Sequence, residues 1–209
     1  MHAANCGASS PPSCGAGEKA QAALDFHKIL TARSAELKPG GRMVIVNFSK
    51  SPEGHYLGKT DVGASMWDSF SLCWKRLHAE GLIDDSELVA VSFPSYYRSQ
   101  SEVSLGVSSV PGLKLISISE LVVRCPYRAS WTSGASTSAG RSPLDHAKWY
   151  VPTTRTWSES TFLNALRPGR SDASEVMERF WGNYVDLVAE EPGIHGMDYV
   201  HTYTVLEKE

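Results

Sequence analysis

Seven histidines, two adjacent aspartates and a serine-rich stretch are the residues in this chain that could do acid, base or metal chemistry, and none stands at the spacing such chemistry needs. His2, His27, His55, His78, His146, His195 and His201 form neither H-x-x-x-H nor H-E-x-x-H, and Asp84-Asp85 lacks the alternating D-x-D of a calcium loop. No metal site is signalled. There is no G-x-S-x-G elbow, and the serines between Gly134 and Gly140 come without a base beside them in sequence. What remains is aromatic: Trp67, Tyr96 and Trp157 lie in segments expected over the carboxyl edge of a sheet, which suits binding a flat organic ligand. The sequence offers a pocket without an obvious catalyst.

The elements that would position these rings read as α/β. Ala22, Phe26, Ile29, Leu30 and Leu37 fall at helical spacing over Glu18 to Leu37. Lys38-Pro39 stops that helix, and Gly40 or Gly41 takes the left-handed closing position. Met43 to Val46 follows as a strand, apolar enough to be covered on both faces. Ser49 to Gly63 is a polar loop leaving its carboxyl end, where open α/β sheets place ligands. Met66, Trp67, Phe70, Cys73, Trp74 and Leu77 recur at three and four residues, giving a second helix.

Farther along, Leu82 to Leu88 reads as a turn into a short helix, and Phe93 to Ser99 as an extended segment that its proline keeps out of a central strand. Leu113 to Val123 is the second strand, expected beside the first. Ala129 to Pro143 is Ser/Gly/Thr-rich and reads as a disordered surface loop. Thr153 to Leu166 and Ser171 to Glu190 read as helices, the latter with Ser171 or Asp172 as N-cap, and Tyr199 to Leu206 as a closing strand. Three strands are too little sheet for a free-standing nucleotide fold. Nor does any G-x-G-x-x-G or P-loop follow a strand ahead of Leu37.

Composition narrows the partners. With 209 residues, 42% hydrophobic and 21% charged, the chain is long enough for a real core and falls in the usual range for one domain. A net charge of −3 without clustered Lys or Arg argues against nucleic acid and against an anionic membrane surface. No apolar run reaches the ~20 residues needed to span a bilayer, and the first residues lack the apolar centre of a signal peptide, so a cytoplasmic location is expected. Cys6, Cys14, Cys73 and Cys125 show no C-x-x-C spacing and read as idle or buried thiols.

Read in order, A-A-L-D-F-H-K-I-L-T-A-R-S-A-E-L-K-P-G-G-R-M-V-I-V (22–46), M-W-D-S-F (66–70), E-G-L-I (80–83), F-P-S-Y-Y-R-S-Q-S-E-V (93–103) and the closing helix and strand resemble the SABATH family of carboxyl and N-methyltransferases. The resemblance covers roughly residues 20 to 209. It implies an S-adenosylmethionine-dependent enzyme whose acceptor is the carboxylate of a small, aromatic or apolar organic acid, or a ring nitrogen. The implied fold is the later half of a doubly wound, Rossmann-like methyltransferase sheet with a helical cap. Residues 1–19 are then an irregular lead-in. The sheet parts fall at about 20–50, 112–124 and 198–207, as the family's fifth, sixth and seventh strands, and the cap at about 60–105 and 145–190.

Carried over by position, the family's substrate-pocket residues fall on Phe48, Met66, Trp67, Tyr96, Thr154, Trp157 and Tyr199. The cofactor loop, the acidic residue for the ribose and the His-Trp pair that grips the carboxylate all fall before residue 1, so no position is assigned to cofactor binding. Val89 and Ser92 occupy the places of an Asp and an Asn that bind magnesium in some members and lack the oxygens that a hard cation needs, so no metal is carried over. A carboxylic acid is already ionised near neutral pH, so methylation there needs no general base, and positioning and desolvation supply the catalysis. Two expectations follow: a truncated methyltransferase that lacks its cofactor half, or a non-catalytic binding or dimerisation module derived from one. An unpaired edge on the Met43 strand would favour dimer pairing.

Overall fold

In the computed structural model, which describes residues 16–209, the chain separates into two compact units. Most of the lead-in, with His2, Cys6 and Cys14, lies outside the described residues.

The sheet unit comprises residues 16–60, Ser95–Val123 and Asp198–Glu209. Helix α1 (Ala16–Glu36) reaches strand β1 (Arg42–Phe48) through a turn in which Gly40 takes φ 74°, and the Gly40 N–H donates to the Lys208 carbonyl at 2.7 Å. Helix α4 (Gln100–Ser108), strand β2 (Leu113–Val123) and strand β3 (Tyr199–Lys208) complete the unit. The expected mixed α/β architecture with three strands is present. The order is β1-β3-β2, and β3 is antiparallel to both neighbours. Placing β2 beside β1 is therefore corrected: the last strand lies between them. Its alternation accounts for that, because Val200, Thr202, Thr204 and Leu206 are all buried while the residues between them are half-buried.

Covering both faces of β1 is a second correction. Helices α1 and α4 pack Phe26, Leu30, Val103 and Val107 against Leu113 and Leu206 on one face, with Met43 and Ile45 at the margin of this core. On the opposite face Val44 is 64% exposed, and Val46, Phe48 and Leu121 are exposed as well. The apolar run is real, but among the described residues only one of its faces is covered. Helix α4 was not foreseen although its start is legible: Ser99 and Glu102 form a reciprocal capping box.

The helical unit comprises Asp61–Pro94 and Arg124–Met197. It holds α2 (Met66–Ala79), α3 (Asp85–Ala90), α5 (Pro126–Thr132), α6 (Ala135–Ser138), α7 (Pro143–Ala165) and α8 (Ala173–Glu190). Residues 95–105, grouped by sequence with the cap, fall in the sheet unit. The disorder expected over 129–143 is corrected, since α5 and α6 occupy most of it. Arg128 is buried and donates to the Val62 carbonyl at 3.0 Å, and Ser130 and Ser136 share a 2.8 Å hydrogen bond. Composition alone misses such anchors. Helix α7 starts ten positions earlier than the expected Thr153. The Ser142–Asp145 capping box opens it, and Pro152 is accommodated inside at the loss of one backbone bond.

Candidate functional site

Four of the seven candidate residues lie in the helical unit. Ser65 caps α2, accepting from the Asp68 N–H at 3.3 Å, and so places Met66 and Trp67 in its first turn. The Trp67 and Trp157 rings meet at 6.2 Å with their planes 70° apart, and Phe93 meets Trp67 at 5.2 Å. Phe70 stands behind this pair and touches Trp67, Trp157, Phe162 and Tyr184 among others. Met66, Trp67 and Thr154 are buried, and the Thr154 hydroxyl donates to the Val151 carbonyl at 2.8 Å. Trp157 is 37% exposed, the most exposed of these rings, and Phe93 is half-buried. The structure thus assembles an aromatic wall that is partly open at Trp157 and Phe93, side chains suited to stacking on a planar apolar ligand.

The other three lie in the sheet unit. Phe48, at the carboxyl end of β1, meets Tyr199 at 5.6 Å and His201 at 5.1 Å, and Tyr199 and His201 stack at 5.6 Å with planes 18° apart. Register explains the grouping: Phe48 faces His201 across the ladder, and Tyr199 is two residues from His201 on the same face. His201 is the member that sequence reasoning missed. Its period-two spacing from Tyr199 was the available signal. Burial lowers the imidazole pKa, so the ring is neutral near pH 7. Tyr96 lies elsewhere, in the groove between α1 and α4, where its hydroxyl donates to Glu102 Oε1 at 2.5 Å.

Cys73 and Cys125 are both buried, and burial pushes the Cys73 thiol up to about 12. Such a thiol stays protonated and is no nucleophile at neutral pH. His195 is driven down to about 4, again by burial, and is a neutral packing residue.

Against this geometry, the family comparison is direct. The model of the SAM dependent carboxyl methyltransferase family matches residues 3–209, and the chain belongs to that family. A probable 7-methylxanthine methyltransferase 2 from Theobroma cacao is 37% identical over 95 residues, 45% of this chain and 25% of that protein. A 3,7-dimethylxanthine N-methyltransferase from Camellia sinensis is 22% identical over 191 residues, 87% of this chain and 44% of its own length. Among solved structures, a loganic acid methyltransferase with SAH shares the fold at a TM-score of 0.62 and 16% identity, over 92% of this chain and 49% of that one. The chain therefore spans less than half the length of the relatives it matches.

The family uses S-adenosylmethionine, and the segment after β1 does not have the make-up of a cradle for it. A cradle needs backbone N–H groups left open after a strand, with glycines where side chains would collide with the ligand. The glycine-bearing segment after β1 uses its N–H groups on its own chain: Gly54 donates to Ser51, Tyr56 to Lys59 and Gly58 to Asp198. The space beside Gly63 is filled by the Ile194 carbonyl, 2.1 Å from where a Cβ would sit. Gly63 serves packing, and no reaction step is assigned to the cofactor on these residues.

Proposed function

We propose that this chain is the acceptor-binding part of a methyltransferase that methylates the carboxylate of a small aromatic or apolar acid. The observation that carries the reading is the Trp67–Trp157 pair, buried on one side and open at Trp157, in a member of a carboxyl methyltransferase family. In the helical unit, Trp157 contacts the acceptor, backed by the buried Trp67, with Met66 and Thr154 buried beside them. In the sheet unit, Phe48 and Tyr199 form an aromatic group of their own at the carboxyl end of β1, which is proposed for ligand contact independently of the helical unit. The acceptor assignment rests on the four residues of the helical unit; Tyr96 lines a separate groove of the sheet unit. Their work is orientation and exclusion of water, which suits an acceptor that arrives already ionised.

The xanthine relatives make a ring nitrogen the competing acceptor. Titration of the 15N-labelled chain decides between them. An aromatic carboxylate is expected to shift the Trp157 indole N–H saturably, and Trp157→Ala to weaken that binding about tenfold, or 1.4 kcal/mol. A response to a neutral xanthine but not to the acid would replace the carboxyl reading with the nitrogen one.

A second reading, a dimerisation module, is favoured by the sheet. Strand β1 is an edge in the order β1-β3-β2, and Val44, Val46 and Phe48 are exposed beside it. Two copies joined edge to edge would pair both ladders and cover part of that apolar face. Light scattering after size exclusion should give a dimer that Val44→Lys reduces to monomer. A wild-type monomer at all concentrations would eliminate this reading.

A further inference from the structure

The groove between α1 and α4 has no part in the acceptor assignment, yet it has the make-up of a ligand site. It encloses about 220 Å³. Its floor is apolar, made by Ala23 and Phe26 of α1 and Leu105 of α4, with Leu105 71% exposed. Gly106 keeps the helices close: a Cβ there would lie 2.6 Å from Phe26 Cδ1, so the bare backbone of α4 passes directly against the ring.

The rim is charged and unbalanced. Glu102 is its one carboxylate, and it is fully engaged: Tyr96 and Lys19 hold Oε1 at 2.5 and 2.9 Å, and the Ser99 N–H holds Oε2 at 3.0 Å. Burial would raise this carboxyl, but those three donors hold it at about 2, so it is ionised. Lys19 is thereby matched. Arg98 makes no direct ion pair with a carboxylate among the described residues, although Glu102 and Asp25 act on it through space. Its guanidinium donates to the Ala22 carbonyl and lies over the Phe26 and Tyr96 rings, 4.7 and 5.9 Å from their centroids. The groove therefore presents a planar, partly desolvated guanidinium that no carboxylate among the described residues directly bonds.

We infer that this groove is a second small-molecule site, which takes a planar aromatic carboxylate. The guanidinium presents a fork of donors that matches a carboxylate, and Ala23 and the exposed Leu105 receive the ring. A single-ring acid is the size that the volume admits. This site shares no residue with the four assigned to the acceptor, so either assignment stands if the other fails.

The test is an amide and arginine-Nε correlation spectrum of the 15N-labelled chain titrated with sodium benzoate, with neutral benzamide as the control. Benzoate should shift the Leu105 and Gly106 amides and the Arg98 Nε–H saturably, and benzamide should bind at least about tenfold more weakly. Arg98→Gln should reduce the benzoate affinity about tenfold. Arg98 also anchors α1, so Leu105→Glu serves as a second variant at an exposed position, with the same loss expected from a carboxylate placed in the groove. Trp157→Ala should leave the groove signals unchanged. The inference is overturned if benzoate shifts only the Trp67 or Trp157 indole signals, if both groove variants bind it as the parent does, or if no groove signal saturates.

Discussion

Glu87→Ala is expected to destabilise the helical unit by about 3–5 kcal/mol, the cost typical of breaking a buried ion pair from one side. Glu87 is 1% exposed. Arg170 Nη1 reaches both of its oxygens, at 2.8 and 2.9 Å, while the backbone N–H groups of Arg167 and Asp84 donate to one oxygen each. Arg170 in turn donates to Asp172 and to the Leu82 carbonyl, so one carboxylate ties α3 to the α7–α8 connection. Removing it takes one of the two carboxylates from Arg170, which keeps Asp172, and strands two backbone donors at about 1–3 kcal/mol each. Burial alone would raise the Glu87 carboxyl, but the hydrogen bonds from Arg167, Asp84 and Arg170 outweigh it and hold the carboxyl below the ordinary glutamate value. A lowered folded pKa gives stability that is complete above the unfolded value of about 4.3 and is lost as pH falls through the folded one. Urea melts of parent and variant should therefore differ most at neutral pH and converge in acid. A difference below about 1 kcal/mol at pH 7 would show that the network is not load-carrying.

Phe70→Ala should be comparably severe, about 3–5 kcal/mol, for a different reason. Phe70 is fully buried at the centre of the aromatic cluster, with Phe162 at 5.4 Å, Tyr184 at 5.3 Å and Trp181 at 6.0 Å, and it also contacts Trp67 and Trp157. The rings around the cavity come from α2, α7 and α8, which cannot all collapse inward together. Loss of near-ultraviolet circular dichroism before loss of helix signal would show that the Trp67–Trp157 wall loosens first. Phe70→Met, which keeps most of the volume, should cost markedly less.

Much of this fold was legible because periodicity and punctuation agree. Phe26 and Leu30 mark the buried stripe of α1, Lys38-Pro39-Gly40 ends it, and β1 contains the β-branched run Val44-Ile45-Val46. What was not legible depends on partners distant in sequence. Nothing local to Val44 shows that only one face of its strand is covered, and nothing in Leu113–Val123 shows that β3 intervenes. The 129–143 segment looks disordered by composition, yet Arg128 fastens its start to Val62, 66 positions away. Pro152 hid the first half of α7, although Ser142 and Asp145 spelled its start.

At the candidate site the split is similar. The aromatic character of Trp67, Trp157, Phe48 and Tyr199 is visible in the sequence, and the resemblance singles them out. That Trp67 stands behind Trp157, and that His201 joins Phe48 and Tyr199, follows only from helix packing and strand register. Tyr96 carries the same caution in reverse, since its place in the groove is set by Glu102 and Phe26 on α4 and α1.

The most direct test of the central claim, that these residues supply acceptor binding without a cofactor cradle, is calorimetric titration of the folded chain with S-adenosylmethionine and its demethylated product. The account predicts no saturable heat from either, in a protein whose circular dichroism shows the helices intact. Saturable binding of either would contradict it, and would place a cofactor site among residues that here hydrogen-bond to their own chain.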